Sequence, residues 1–300
     1  MQANRRTIVA ALAALPLVGA AGPRNRVVLL GTKGGPTPVP GRAAPATLIE
    51  LGGKAWVVDC GNGVAGQLAK AQVSLDRLAR IFVTHNHSDH MADVGTLIEL
   101  AWSSGLKTPV TVHGPPPIRQ IVRDQLAAFA YDIEARIREE GRIPLAPLVR
   151  VDERAGPGPV VRDGGTMVTS ALVDHETVKP AFAYRFDTPE RSIVISGDTH
   201  YSDNLVALAK GADLLIHEAI YGPAIDRMGG ENAPTLRDHL RRSHTVAEQV
   251  GLVAARAGVK KLVLSHLVPA GPQVTDAMWI AAVRRNYTGP VIVGRDLMEV

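Results

Sequence analysis

The stretch that decides the fold is Arg80-Ile81-Phe82-Val83-Thr84-His85-Asn86-His87-Ser88-Asp89-His90. It opens on an apolar run that reads as a buried strand, and four metal-ligating side chains follow within six residues, His85 to His90. His85 and His87, two apart, face the same side of an extended chain, while Asp89 and His90 fall where the chain turns into a helix over Met91 to Trp102. One short loop can therefore feed two metals. A polar loop whose histidines merely cap a helix is the plain alternative, and the density of ligand types at this spacing argues against it.

Working outward, 300 residues with 46% hydrophobic content fit one large domain or two small ones with an ample core. The net charge is +4, with arginines dispersed (Arg119, Arg123, Arg136, Arg138, Arg142, Arg241, Arg242) rather than gathered into a run interleaved with aromatics. That balance suits an anionic substrate and does not call for a nucleic-acid groove. Cys60 is the sole cysteine, which excludes an intrachain disulfide. Residues 1–23 differ in kind: Asn4-Arg5-Arg6-Thr7 precedes an apolar stretch from Ile8 to Ala21, with small residues near Val18-Gly19-Ala20. This predicts an export signal, compatible with the twin-arginine route and too short for a comfortable membrane span, so that the mature chain is periplasmic or secreted. An ordinary apolar helix or a retained anchor is the alternative.

From residue 24 to 300 one domain is expected. Strand patterns at Val27 to Leu30, Ala46 to Leu51, Ala55 to Asp59, Ile81 to Val83 and Val110 to His113 alternate with helix patterns at Val64 to Ala71, Val94 to Trp102 and Pro117 to Ala130. The second half repeats the theme, with strands at Met167 to Val173, Ala181 to Phe186, Ser192 to Ile195, Asp213 to Ile216, Leu262 to Leu264 and Val291 to Val293, and helices near Asn204 to Lys210, Thr245 to Ala257 and Thr275 to Asn286. Two mixed sheets flanked by helices, an α/β architecture, follow from this order. Residues 131–150 are charged and helical early, then broken at Gly141, Pro144 and Pro147; they read as a helical insertion able to act as a lid, or as plain surface helix.

Further ligand types stand at strand ends: His175 after Leu172-Val173-Asp174, Asp198 in Ser196-Gly197-Asp198-Thr199, and His266 after Val263-Leu264-Ser265. Met alone, each is a hydrogen-bonded histidine or an N-cap aspartate; together they complete two ligand sets. With these residues in view the chain resembles the metallo-β-lactamase superfamily of metal-dependent hydrolases, in the branch shared by ribonuclease Z and related arylsulfatases and phosphodiesterases. Leu30-Gly31-Thr32 resembles the branch's opening turn, and His85 to His90 its HxHxDH motif. The resemblance implies a four-layer αβ/βα sandwich. It also implies two divalent ions, one on His85, His87 and His175, the other on Asp89, His90 and His266, with Asp198 bridging. Such nitrogen and oxygen ligands suit zinc first, then manganese or iron. A hydroxide bridging the pair, acidified to a pKa of ~7, would be the nucleophile. Ile216-His217-Glu218-Ala219 and Ser243-His244-Thr245 resemble the branch's HEAT and HST loops, which implies that Glu218 orients His244 as the acid at the leaving group. His113, His200, His217 and His239 read as surface or structural. A homodimer is usual in the resembled branch.

An aspartate at position 198 argues against a true lactamase. Ribonuclease Z proteins of the branch carry a long arm for transfer RNA, and the interval Glu176 to Gly197 is too short to hold it. With export, this argues against nucleic acid as a partner. The expectation is a binuclear hydrolase of a small anionic ester, an aryl sulfate or a phosphodiester, with the arylsulfatase-like reading preferred and the 131–150 segment shaping a pocket for an aromatic leaving group. A ribonuclease Z-like endonuclease or phosphodiesterase acting on nucleic acid is the alternative, and a metal-binding carrier a third reading.

Overall fold

Alternation along the strands divides the apolar residues between an inner core and two outer ones. The structure, a computed structural model, describes residues 25–300; the export-signal reading of residues 1–23 lies outside them. In chain order the strands are Arg26–Gly31 (β1), Ala46–Leu51 (β2), Lys54–Val58 (β3), Leu78–Phe82 (β4), Val110–Gly114 (β5), Val149–Glu153 (β6), Gly158–Asp163 (β7), Thr166–Leu172 (β8), Phe182–Asp187 (β9), Ser192–Ile195 (β10), Leu214–Ile220 (β11), Leu262–Val268 (β12), Val291–Val293 (β13) and Met298–Glu299 (β14). They form two seven-stranded sheets, ordered β14-β1-β2-β3-β4-β5-β6 and β13-β12-β11-β10-β9-β8-β7.

Each sheet joins an antiparallel meander to a parallel run: β3 to β6 are parallel in the first, β10 to β13 in the second. Parallel neighbours require crossovers. The helices Val64–Lys70, Val94–Ser103 and Ile118–Ala128 serve the first sheet, and Asp203–Leu208, Ala247–Ala257 and Asp276–Val283 the second.

Val27, Leu29, Trp56 and Phe82 of the first sheet share one core with Tyr184, Phe186, Ile193 and Ile216 of the second. Their immediate neighbours Val28, Leu30, Val57, Ile81 and Val83 instead pack against Leu68, Leu97 and Trp102 of the first helix layer. On the far side Val194, Leu215 and Leu264 meet Leu205, Val250 and Trp279. The period of two thus builds helix, sheet, sheet, helix, the four-layer sandwich the sequence predicts. Tyr184 fastens the sheets at their functional end, its hydroxyl donating to Val83 O at 3.0 Å.

At residues 131–150 the structure shows the helix that the sequence predicts, packed down as surface helix. A helix spans Ala130–Glu140, but Ile133 and Ile137 pack on the first outer core, Trp102 Nε1 donates to Ile143 O at 2.8 Å, and Val149 already begins β6. The segment is part of the helix layer. Among the described residues no helix is long and apolar enough to cross a membrane.

Phe82 is fully buried where the sheets meet, 5.1 Å from Phe186 and 5.5 Å from Tyr184, both edge-on. Phe82→Ala is expected to cost about 3–5 kcal/mol in denaturant unfolding, the range for an aromatic cavity in a core; a cost below about 1 kcal/mol would contradict the shared core.

Candidate metal centre

The parallel strands deliver the site residues at their C-terminal ends, where open α/β sheets place chemistry. Beyond β4 come Thr84 to His90, beyond β10 Ser196 to Thr199; β12 carries His266 and β11 carries Glu218. His85, His87, His175 and Asp198 bring ligand atoms within 4.8 Å of one another, as do Asp89, His90 and His266, and Asp198, His244 and His266. Every ligand expected from sequence therefore lies in one cluster, and Asp198 belongs to two of the three groups.

Around Asp198 Oδ2 stand His266 Nε2 at 3.2 Å, His90 Nε2 at 3.3 Å and His85 Nε2 at 3.8 Å. Asp89 Oδ2 is 3.5 Å from His266 Nε2 and 3.6 Å from His90 Nε2. On the other side His87 Nδ1 is 3.1 Å from His85 Nε2 and 3.2 Å from His175 Nε2.

Outer hydrogen bonds fix which ring nitrogen faces the cluster. His90 Nδ1 is 2.8 Å from the Asp59 carboxylate and His175 Nδ1 is 2.8 Å from Ser243 O, both acceptors only, so each Nδ1 carries the proton. Thr84 donates its hydroxyl to Asp59 Oδ2 at 3.0 Å, which leaves that oxygen to accept from His85 Nδ1 at 3.1 Å. Three Nε2 lone pairs consequently converge inward, the arrangement of ligating histidines with carboxylate, hydroxyl and carbonyl partners behind them.

Electrostatics agree with a cation site. Burial, reinforced by the neighbouring imidazoles, holds His85 well below its ordinary pKa, and burial likewise lowers His87 and His175, so their lone pairs stay free. Burial opposes charge on His90 too, yet Asp198, Asp59 and Asp89 together raise it well above the usual value. Burial would raise Asp198, but His266, His90 and His85 hold it well below the carboxylate range. The local field is strongly negative and draws a cation. Buried His90 Nε2 and Asp198 Oδ1 make no hydrogen bond, as expected of atoms reserved for a metal. The residues fit divalent ions.

Beside the cluster, His244 Nδ1 is 3.0 Å from Glu218 Oε1, which is also held by the backbone N–H of Thr199 at 3.0 Å. Burial pushes this imidazole down, but the Glu218 charge and hydrogen bond outweigh it and lift it to about 9. His244, with Asp89, Asp198 and His266, lines a cleft of about 770 Å³ whose remaining wall is largely apolar.

Sequence reasoning missed Asp59, visible only as an acid closing a buried strand. It also read His239 as surface or structural and gave it no role, whereas His239 lines the cleft. His113 and His217 are buried structural groups, His113 stacked on Phe82 at 4.8 Å. No residue of 131–150 lines the cleft, and Trp102 and Tyr184 lie in cores, Tyr221 against Trp279.

The family model described as "Beta-lactamase superfamily domain" matches residues 55–267. The chain belongs to the beta-lactamase superfamily. Fold and His/Asp cluster together are those of a metal-dependent hydrolase of that superfamily. Among relatives of this beta-lactamase superfamily chain, "Ribonuclease Z" of Mycobacterium bovis is 34% identical over 277 residues, covering 91% of this chain and 97% of the relative. That of Mycobacterium avium is 36% identical with the same coverage. In fold it is similar to the metallo-beta-lactamase fold protein YhfI from Bacillus subtilis, with a TM-score of 0.67 and 20% identity over 92% of this chain and 98% of the other. It is likewise similar to human tRNase Z, short form, with a TM-score of 0.64 and 22% identity over 91% and 98%.

These relatives correct two expectations, the small-ester, arylsulfatase-like reading and the exclusion of nucleic acid. The exclusion rested on the short interval between His175 and Asp198 together with the export reading. A match of 277 residues that occupies 91% of the 300-residue chain leaves the Mycobacterium relatives no arm-sized insertion either, so the interval does not separate this chain from them.

Asp59 gives the sharpest test of the outer hydrogen bonds. In Asp59→Asn an amide N–H facing His90 Nδ1 would move the ring proton to Nε2. Metal affinity, read by chelator competition, is expected to fall roughly 10–100-fold, and unchanged affinity would contradict the arrangement.

Proposed function

We propose that the chain is a metal-dependent phosphodiesterase that cleaves RNA endonucleolytically, in the manner its ribonuclease Z relatives are named for. The observation that carries the reading is His244, held by Glu218, whose charge raises its pKa above the ordinary value, and set on the wall of the cleft that the His/Asp cluster also lines. A sugar oxygen is a poor leaving group and needs such an acid.

Zinc is the ion we assign, on the imidazole and carboxylate donors. His85, His87 and His175 would hold one ion, Asp89, His90 and His266 the other, with Asp198 shared between them. Such ions supply an activated water at neutral pH and neutralise phosphate charge. The protein's own part is to orient and to move a proton. Glu218 keeps the Nδ1 proton of His244 in place and stabilises the imidazolium. His244 gives its Nε2 proton to the departing oxygen. Thr199 and Thr245, bonded to Glu218 Oε1 through their backbone N–H groups, keep that carboxylate from turning towards the cluster.

Residues 1–23 we read as an export signal, so that the RNA met by the mature enzyme lies outside the cytoplasm. Terminal sequencing of chain recovered from the periplasmic fraction should find the cut near Ala20; an intact Met1 terminus in the cytoplasm would refute it.

The catalytic reading is tested with zinc-loaded enzyme on an RNA oligonucleotide and on bis(4-nitrophenyl) phosphate. Asp198→Ala should reduce both turnovers to background while the unfolding transition persists. His244→Ala should lose about 10²–10⁴-fold on RNA and far less on the nitrophenyl ester, whose leaving group needs no proton. Equal losses on both substrates would refute the acid role, and an RNA left intact by the wild type would refute the substrate class.

A further inference from the structure

The helix Ala233–Ser243 overhangs the cleft, and Leu236, His239 and Leu240, spaced three and four apart, form its inward face. His239 stands out there as a polar group between apolar neighbours, and its surroundings determine how it presents itself. Ser243 Oγ donates its one proton to Glu176 Oε2 at 3.0 Å. That hydroxyl must therefore accept from His239 Nδ1, 3.1 Å away, while Glu176 Oε2 lies 3.3 Å from the same nitrogen. Arg242 Nε holds the other Glu176 oxygen at 2.7 Å. Nδ1 thus carries the proton, and in the neutral ring Nε2 offers a lone pair. The His239 side chain keeps 39% of its surface exposed, so this acceptor is available to a molecule in the cleft.

The arrangement repeats that of His244: an imidazole anchored by a glutamate through Nδ1. The two ring centres are 6.2 Å apart with planes at 90°, and both rings line the same cleft. Glu176 directly follows His175, and Ser243 directly precedes His244 while its carbonyl accepts from His175 Nδ1. One network therefore sets the position of His239 relative to the acid.

We propose that His239 accepts a hydrogen bond from the hydroxyl next to the leaving oxygen, the ribose 2′-hydroxyl, and so selects RNA over DNA, with Glu176 as its positioning residue. The inference rests on the phosphodiesterase reading above and names the feature of the substrate that the site recognises. A hydroxyl is the donor that distinguishes RNA from DNA at a single nucleotide. A site built to bond a substrate hydroxyl discriminates against the analogue that lacks it.

The experiment compares an all-RNA oligonucleotide with the same strand carrying one 2′-deoxy substitution at the nucleotide whose 3′ oxygen departs, using zinc-loaded enzyme. Wild type is expected to lose up to about tenfold in kcat/KM on the substitution, the size of one exposed neutral hydrogen bond. His239→Ala should lose a similar factor on RNA and nothing further on the deoxy strand. His239→Gln, which keeps an acceptor near Nε2, should restore part of the discrimination, and Glu176→Gln should blunt it. A merely structural role for His239 would instead lower both substrates alike and keep their ratio. Full discrimination in His239→Ala, or none in wild type, overturns the proposal while leaving RNA cleavage intact. Hydrolysis of bis(4-nitrophenyl) phosphate with no RNA cleaved at all overturns it together with the substrate class. If His239→Ala fails to fold, His239→Gln and Glu176→Gln give the same ratio.

Discussion

The buried Asp198 carboxylate is the constraint from which the rest of the structure follows. Burying a charge is costly unless it is matched. Here the matching groups come from separate strands: His85 and His90 beyond β4, His266 in β12, all within 3.8 Å of one oxygen. Bringing the carboxylate so deep requires Gly197 before it, held at φ +59 with no space for a Cβ, which would lie 2.6 Å from Phe182 O and 2.9 Å from Thr84 Cβ. The sandwich can be seen as the scaffold that holds these strand ends together, with the Phe82 and Tyr184 contacts between sheets fixing their separation.

Outer hydrogen bonds then fix the orientation of chemically identical imidazoles around the cluster and the cleft. Threonine, aspartate and backbone carbonyl partners on Nδ1 of His85, His90 and His175 turn lone pairs inward to the cluster. Glutamates on Nδ1 of His244 and His239 leave the opposite nitrogens to the cleft. In all five rings the partner behind Nδ1 leaves Nε2 as the nitrogen not held by it.

Local signals were legible in the sequence. Residues 84–90 could be read because their ligands share one loop, and His175, Asp198 and His266 because each follows a short apolar run. Asp59 was not, since an acid closing a strand looks like any turn residue until His90 is seen beside it. β6 and β7 escaped because strands at a sheet edge need only a partly apolar face, and Val149–Glu153 and Gly158–Asp163 each combine two valines with charged residues. The Ala233–Ser243 helix escaped for a similar reason: Leu236 and Leu240 are its only large apolar residues. At 131–150 the helix was legible, but charge hid the Ile133 and Ile137 stripe that packs it down, which left a lid and a surface helix as alternatives. The substrate class was misjudged because it was argued from one short interval, the export reading and the 131–150 segment, whereas similarity along nearly the whole chain bears on it more strongly.

The central claim is that the cluster is a binuclear metal centre. Elemental analysis of the chain purified without added metal or chelator, scored against protein concentration, tests it most directly. The account predicts about two equivalents of divalent metal per chain, falling below one in Asp198→Ala. A wild-type chain that binds no more than a trace, even after dialysis against zinc, would contradict it.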